Sequence, residues 1–546
     1  MEGEEMGTRR FGVVVTLVVV LSGALAATGW AVEHPGSWSR AADMPTSRLG
    51  NGPTVVDGQL YVLGGFNYGG GIVDVDRYDP ATDTWETVST MPVVRAGPVV
   101  ASVDGLIYAI GGFDETGTSY GSVLIYDPAT SAWSTGTDMP TLRGDGAVGV
   151  AHAGLIYVVG GEDNGVVLKT VEVYDPASDS WSAVADMSMP RVAAGIAVYN
   201  DEIWVAGGGF EPYVEPPWAV TAQVERFDPI TGTWSPAPSL NQARRGQAMV
   251  VLDDTLYVIG GFDSMLRGVH IERYIDDEGW VAAGAVPIFL SDCNPATIGS
   301  KMYLPGGWVG IGNIGDELLV YDPTRFTYWA EVAAHLGGAH GSVWRTDVAA
   351  ANLGETGADV DVVLHSAETP GTMTTSIPEG SQLALEDVVG QMGVTGKGLL
   401  ELRSDQPLRV TGRTFNDDGG VTFGQVCDLR TADGGLRGGD SASIVGLRQD
   451  GVLFRTNLAF ANTGIFSAVI RVNLFAADGE RLDQFYVSLD PGGSNQELEP
   501  FANRGGRPDL GWGYVTVEII SGSGVMVSGS VIDSQSNDAT TVYPKK

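Results

Sequence analysis

The sequence predicts an all-β protein of several domains assembled from repeats, and three observations carry that expectation. Charged residues are only 18% of the chain while Gly reaches 77 of 546, and the periodic segments are rich in Val, Ile, Tyr and Trp, a balance that suits short strands joined by tight turns. Six Gly doublets recur at a spacing of roughly 47 residues, far too long for a coiled coil. Beyond the last doublet, a second duplication appears at a constant offset of 110 residues. A chain of this length exceeds what one hydrophobic core holds.

The doublets are Gly64-Gly65, Gly111-Gly112, Gly160-Gly161, Gly207-Gly208, Gly260-Gly261 and Gly306-Gly307. Three residues before each stands an aromatic: Tyr61, Tyr108, Tyr157, Trp204, Tyr257 and Tyr303. Downstream come Tyr78-Asp79-Pro80, Tyr126-Asp127-Pro128, Tyr174-Asp175-Pro176, Phe227-Asp228-Pro229 and Tyr321-Asp322-Pro323, with Tyr274 in the degenerate fifth copy. Each leads into a tryptophan, namely Trp85, Trp133, Trp181, Trp234, Trp280 and Trp329, and steps such as Met91-Pro92 and Met139-Pro140 open the next unit. In the second unit, residues 99–102 read as an innermost strand and Asp104-Gly105 as a hairpin turn. Residues 106–110 form the second strand, 122–126 the third, and Trp133 begins the fourth. A doublet without Cβ atoms permits positive φ and close backbone packing.

The succession of Gly doublet, Y-D-P, Trp and M-P resembles the kelch repeat, over six copies from about Trp38 to Val332. The resemblance implies a six-bladed β-propeller over residues 36–332, its blades four-stranded and antiparallel, with tryptophans stacked between neighbours. A partial seventh copy, Trp38 followed by Met44-Pro45, predicts that residues 37–42 supply the outer strand of the final blade and leave Trp329 at the exit to the next domain.

Ten residues beyond the Trp of each unit lie Arg48, Arg95, Arg143, Arg191 and Arg244, with Leu290 breaking the series. The position falls between the outer strand of one blade and the inner strand of the next. Two readings stand: arginines packed between blades and donating to backbone carbonyls, or a guanidinium ring at one channel mouth that grips a carboxylate or sulfate. The loops between second and third strands project from the same face. They add Phe66, Tyr68, Phe113, Tyr213 and Trp218, aromatics that either bind a sugar ring or peptide or brace their own loops.

Some kelch propellers are enzymes, notably relatives of galactose oxidase, with copper held by Tyr and His. Of the six histidines here, only His270 falls near the expected ligand face, so no catalytic residue, metal or cofactor is assigned. The expected function is a binding or adhesion module for a glycan or protein ligand. Two alternatives stay open, a carbohydrate-active enzyme resembling the kelch-type sialic acid epimerases or oxidases, and a structural scaffold in an envelope assembly.

After Trp329 the pattern stops. Trp344-Arg345-Thr346-Asp347-Val348 with Asn352 matches Phe454-Arg455-Thr456-Asn457-Leu458 with Asn462, and alternation at Val360, Val362 and Leu364, or Ile470, Val472 and Leu474, gives half-buried strands. Two homologous β-sandwich modules are expected, over residues 337–440 and 443–546. At the other end, Arg9 and Arg10 precede the apolar run from Phe11 to Leu21, and Ala24-Leu25-Ala26 supplies a cleavage-like site. That reads as a signal peptide over residues 1–26, with an uncleaved anchor as the alternative. The chain is thus expected to be exported, secreted or periplasmic, with no membrane contact after cleavage. The formal charge of -36 argues against nucleic acid and anionic lipid as partners. Cys293 and Cys427 lie far apart in sequence and read as free thiols sooner than as a pair.

Overall fold

The protein is described here by a computed structural model that covers residues 36–543, except 212–218, 266–269, 285, 288, 310–312, 338–342, 355, 367–369, 418–421, 429, 432–434, 451–452 and 534–538. The expected signal peptide, Tyr213 and Trp218 lie outside the described residues.

Six four-stranded antiparallel sheets make up the first part. Blade one runs from its inner strand Gly52–Val56 through Gln59–Leu63 and Asp74–Asp79 to the outer strand Thr84–Thr90. Blade two repeats this with Val99–Val103, Leu106–Ile110, Val123–Asp127 and Ala132–Gly136. The inner strands of all six blades neighbour one another in a closed circle, with Ala296–Ile298 of blade six returning to Gly52–Val56 of blade one.

Two devices of the repeat hold the blades together. The second glycine of each doublet donates its N–H to a carbonyl of the next blade: Gly65 to Arg95 at 2.8 Å, Gly112 to Arg143 at 2.9 Å, and so on to Gly307, which donates to Arg48 at 2.9 Å and completes the circle. The close approach explains the missing side chains, since a Cβ on Gly64 (φ +63°) would stand 2.4 Å from the Arg95 carbonyl oxygen. On the outer side, each tryptophan packs on the aromatic of its own Y-D-P segment, as Tyr78 on Trp85 at 5.1 Å and Tyr126 on Trp133 at 5.0 Å. Its indole N–H then reaches back to the preceding blade. Trp85 donates to Ala42, Trp181 to Thr137, Trp234 to Ala185 and Trp280 to Pro238, at 2.7 to 2.8 Å.

Blade six takes its outer strand from the other end of the propeller. Ser37–Ala41 pairs antiparallel with Leu318–Asp322, in register from Ser37 opposite Asp322 to Ala41 opposite Leu318. Trp38 packs on Tyr321 with ring centroids 5.0 Å apart, in the relation that Trp85 has to Tyr78.

Residues 323–332 do not belong to the propeller, which corrects the boundary read from the sequence. Trp329 lies in the long strand Phe326–Gly337, and that strand pairs with Gly396–Ser404. The chain then forms two sets of paired sheets. In the first set the strand order is Gly371–Ile377, Ala358–His365, Gly396–Ser404, Phe326–Gly337 on one side. The other side holds Gln382–Leu385, Val343–Asn352, Leu408–Asp417 and Thr422–Asp428. The second set repeats this strand for strand, Arg481–Leu489, Ala468–Ala476, Gly511–Ser521, Ser441–Gln449 against Ser494–Leu498, Phe454–Asn462, Val525–Asp533, Ala539–Val542. Each has its own apolar core, around Val362 and Leu402 in the first and Val472 and Val517 in the second. The duplication reaches single hydrogen bonds. Asn352 Nδ2 donates to the Thr356 and Ile377 carbonyls, and Asn462 Nδ2 to those of Phe466 and Leu489.

Candidate functional site

The five repeat arginines are buried, with exposures of 0 to 1%, and their guanidinium groups face their own blades. Each Nη1 bridges two carbonyls, one from the Gly doublet and one from the start of the third strand: Gly160 at 2.6 Å and Thr170 at 3.1 Å for Arg143, Gly207 at 2.7 Å and Gln223 at 2.9 Å for Arg191. Nη2 then finds a buried carboxylate. Arg48 meets Asp76, Arg143 meets Glu172 at 2.9 Å, Arg191 meets Glu225 at 2.7 Å and Arg244 meets Glu272. Arg95 is the exception, its Nη2 reaching Ser122 Oγ at 2.5 Å. The reading of these five as an anion-gripping ring at the mouth is therefore corrected: their buried Nη groups are turned into the blades and held by backbone carbonyls and, in four of the five, by a carboxylate.

The acidic partner was within reach of sequence reasoning. It stands two residues before the Y-D-P aromatic at Asp76, Glu172, Glu225 and Glu272, and blade six loses both members together, with Leu290 in place of Arg and Leu319 in place of the acid. Blade two keeps Arg95 but has Leu124 at the acidic position. Burial pushes the Arg95 guanidinium down to about 10.

The mouth itself is a cavity of about 570 Å³. It lies where a residue just beyond each repeat arginine, or beyond Leu290 in blade six, pairs with the residue after the Gly doublet, Leu49 with Phe66, Ala96 with Phe113, Asp145 (two residues beyond Arg143) with Glu162, Arg245 with Phe262, and Ser291 with Trp308. Phe66 and Phe113 line it together, ring centroids 6.3 Å apart, and Phe262 stacks on Phe289 at 6.2 Å. Tyr68, by contrast, stands 76% exposed at the loop tip and is not among the lining residues. The sequence thus located Phe66 and Phe113 at the mouth and missed Phe262, Phe289 and Trp308.

It also missed the charge. Asp145 and Asp292 line the cavity and Arg245 lies buried beside them. Burial raises both carboxyls above their ordinary value; the charge of Asp292 adds to this at Asp145, and Arg245 pulls each part of the way back. Glu162, next to Asp145, is raised for the same reason. Asp292 occupies a left-handed conformation, φ 50°, where blades one, two, three and five have Gly50, Gly97, Gly146 and Gly246. The signal was a charged residue at a repeat position that elsewhere holds Leu, Ala or Val for Asp145 and Arg245, and one that elsewhere holds Gly or Ala for Asp292. Cys293, next to Asp292, is a free, buried thiol; the side chain of Cys427 is outside the described residues.

The propeller segment matches the family profile described as Attractin/LZTR1 beta-propeller over residues 29–269. It is 30% identical over 115 residues to human Kelch-like protein 35, covering 21% of this chain and 18% of that protein. Beta-scruin of Limulus polyphemus is 30% identical over 154 residues, covering 26% of this chain and 16% of its own length. The chain's propeller is a kelch-repeat β-propeller. Its match spans less than a fifth of either relative. The solved structure of YjhT aligns with 51% of the chain and 96% of its own at 18% identity and a TM-score of 0.44.

Proposed function

We propose that this is an exported binding protein whose kelch propeller seats a segment of a partner protein, or a glycan, in its aromatic-rimmed mouth. The observation that carries the reading is the departure of the mouth from the repeat. Blade cores and blade seams repeat nearly residue for residue, whereas the rim differs from blade to blade: Phe66, Phe113, Glu162, Gly209, Phe262 and Trp308 occupy one equivalent position, and of these the four aromatics line the cavity. Aromatic walls with a few convergent polar groups are what a specific ligand site requires. Acidic groups at Asp145 and Asp292, with Glu162 beside Asp145, outnumber the guanidinium of Arg245 among the described residues and favour a ligand that carries a basic group.

The test is a screen of peptide and glycan arrays with the full mature chain, followed by titration of the best ligand. Phe113→Ala and Trp308→Ala are expected to weaken binding at least about tenfold each, the loss typical of an aromatic anchor, while Tyr68→Ala leaves it nearly unchanged. Array binding that survives both mouth substitutions overturns the proposal. A second reading, carbohydrate chemistry by proton transfer, is favoured by Asp145 and Asp292 lining the cavity together, each carboxyl raised by burial. Mass spectrometry of bound glycans distinguishes it: turnover abolished by Asp145→Asn points to an enzyme, and unchanged glycan to a binding head.

A further inference from the structure

A second cavity, of about 460 Å³, lies where three parts of the chain meet: the closing strand of the propeller, the first sheet of the first module, and loops of the second module. Its charged lining is the reverse of the mouth. Arg40, Arg403 and Arg437 stand against a single carboxylate, Glu401, in a chain whose formal charge is -36.

The balance within it is uneven. Glu401, only 4% exposed, accepts from Arg403 Nε at 2.7 Å and Nη2 at 2.9 Å, and lies 2.6 Å from His365 Nε2. Arg40 is paired outside the cavity with Asp43 at 2.6 Å. The Arg437 guanidinium has no hydrogen-bond or ion-pair partner among the described residues, although its backbone N–H is held by Asp440 at 3.1 Å. Trp329 forms part of the wall with its ring 5.4 Å from that of His365, and its indole N–H is buried without an acceptor among the described residues. A cleft with unanswered donors and surplus positive charge is complementary to an anion.

We propose that this cleft is a binding site for a small carboxylate of sugar-acid size, held chiefly by Arg437 against the Trp329 wall. A carboxylate answers the guanidinium with two parallel acceptors, and hydroxyls beside it suit the remaining polar edge. The volume accommodates one or two sugar rings. Because the ligand would touch the propeller strand and both modules at once, binding would also stiffen their junction. The proposal is independent of the reading of the mouth.

Isothermal titration and thermal-shift measurements on the full mature chain would use glucuronate and galacturonate as probes, with glucose as the neutral control. The uronates are expected to bind and raise the melting temperature, and glucose to do neither. Arg437→Ala is expected to weaken uronate binding at least tenfold, Arg437→Lys to weaken it less, and Phe113→Ala in the mouth to leave it unchanged. Absence of uronate binding at 10-fold millimolar excess to the folded wild-type chain overturns the proposal. So does binding that is indifferent to both Arg437 variants, or binding lost in Phe113→Ala, which would place the uronate in the mouth.

Discussion

Arg143 and Arg95 occupy the same repeat position and donate to the same two kinds of carbonyl, yet only Arg143 also neutralises a buried carboxylate. Replacing Arg143 by Leu strands Glu172 with Thr141 as its remaining side-chain donor, at 2.9 Å. The expected cost is about 3–5 kcal/mol, the usual penalty for breaking a buried pair from one side. Arg95→Leu leaves no such charge behind and is expected to cost about 2 kcal/mol less; equal losses in urea denaturation would show that the carboxylates are not what fixes these arginines. Asp292 gives the opposite sign. Its carboxyl is raised by burial, with Arg245 and the Ser291 hydroxyl countering in part, so it binds its proton more readily folded than unfolded. Its contribution to stability is then complete below the unfolded value near about 4 and is lost as pH rises through the folded value. Asp292→Asn, which tolerates the left-handed backbone equally well, is expected to raise the melting temperature at pH 7.5, with the gain fading towards pH 4. A gain that is constant with pH would assign the effect to backbone preference instead.

At the scale of strands, the repeat made blade seams legible because one contact recurs six times. The Gly doublets, the Y-D-P turns and the tryptophans each mark a place where two backbones meet. The closing strand was legible for the same reason, as Trp38 stands in the position of an outer-strand tryptophan without a blade of its own. Trp329 misled the domain boundary because it falls at the right distance from Tyr321 while its strand, Phe326–Gly337, pairs with Gly396–Ser404 seventy residues on. Spacing reads local order and is blind to such non-local pairing. The mouth was half legible, since Phe66 and Phe113 follow their doublets directly, whereas Phe289 enters from outside the repeat pattern and the charge of Asp145 and Asp292 is visible only as a departure from it. The closing strand also carries a prediction. Ser37–Ala41 supplies the Trp38 contact with Tyr321, and Ala42 both accepts from Trp85 and donates to Asp83 at 2.8 Å. Deleting residues 36–43 therefore opens the ring at two seams and is expected to lower the melting temperature of the propeller by roughly 10 °C. An unchanged melt would mean that the ring holds without its clasp.

Across the whole molecule, the propeller and the second module are joined by an apolar contact that neither needs for its own core. Ile465 and Phe466, from a loop of the second module, pack against the cluster that blades five and six share, and Trp38 packs there too. Arg40 of the closing strand lies over the Phe466 ring at 5.8 Å, and Ser523 Oγ donates to the Pro287 carbonyl. A second seam joins the two modules, with Trp329 and Leu399 of the first against Ala461 and Met526 of the second. The closing strand is thus covered by the module farthest from it in sequence, so melting of the second module removes support from the clasp of the ring. The coupling is expected to appear in calorimetry as overlapping unfolding of propeller and second module. In the double variant Ile465→Ala and Phe466→Ala the propeller transition should separate and move down by several degrees, because each truncation removes about 1–3 kcal/mol of contact from a partly buried site. The strands of the second module keep their own core around Val472 and Val517, so its transition should stay within about a degree or two of wild type. If both transitions move together, the loop serves the module's own fold and the propeller does not lean on it; if neither moves, the contact carries no stabilising energy.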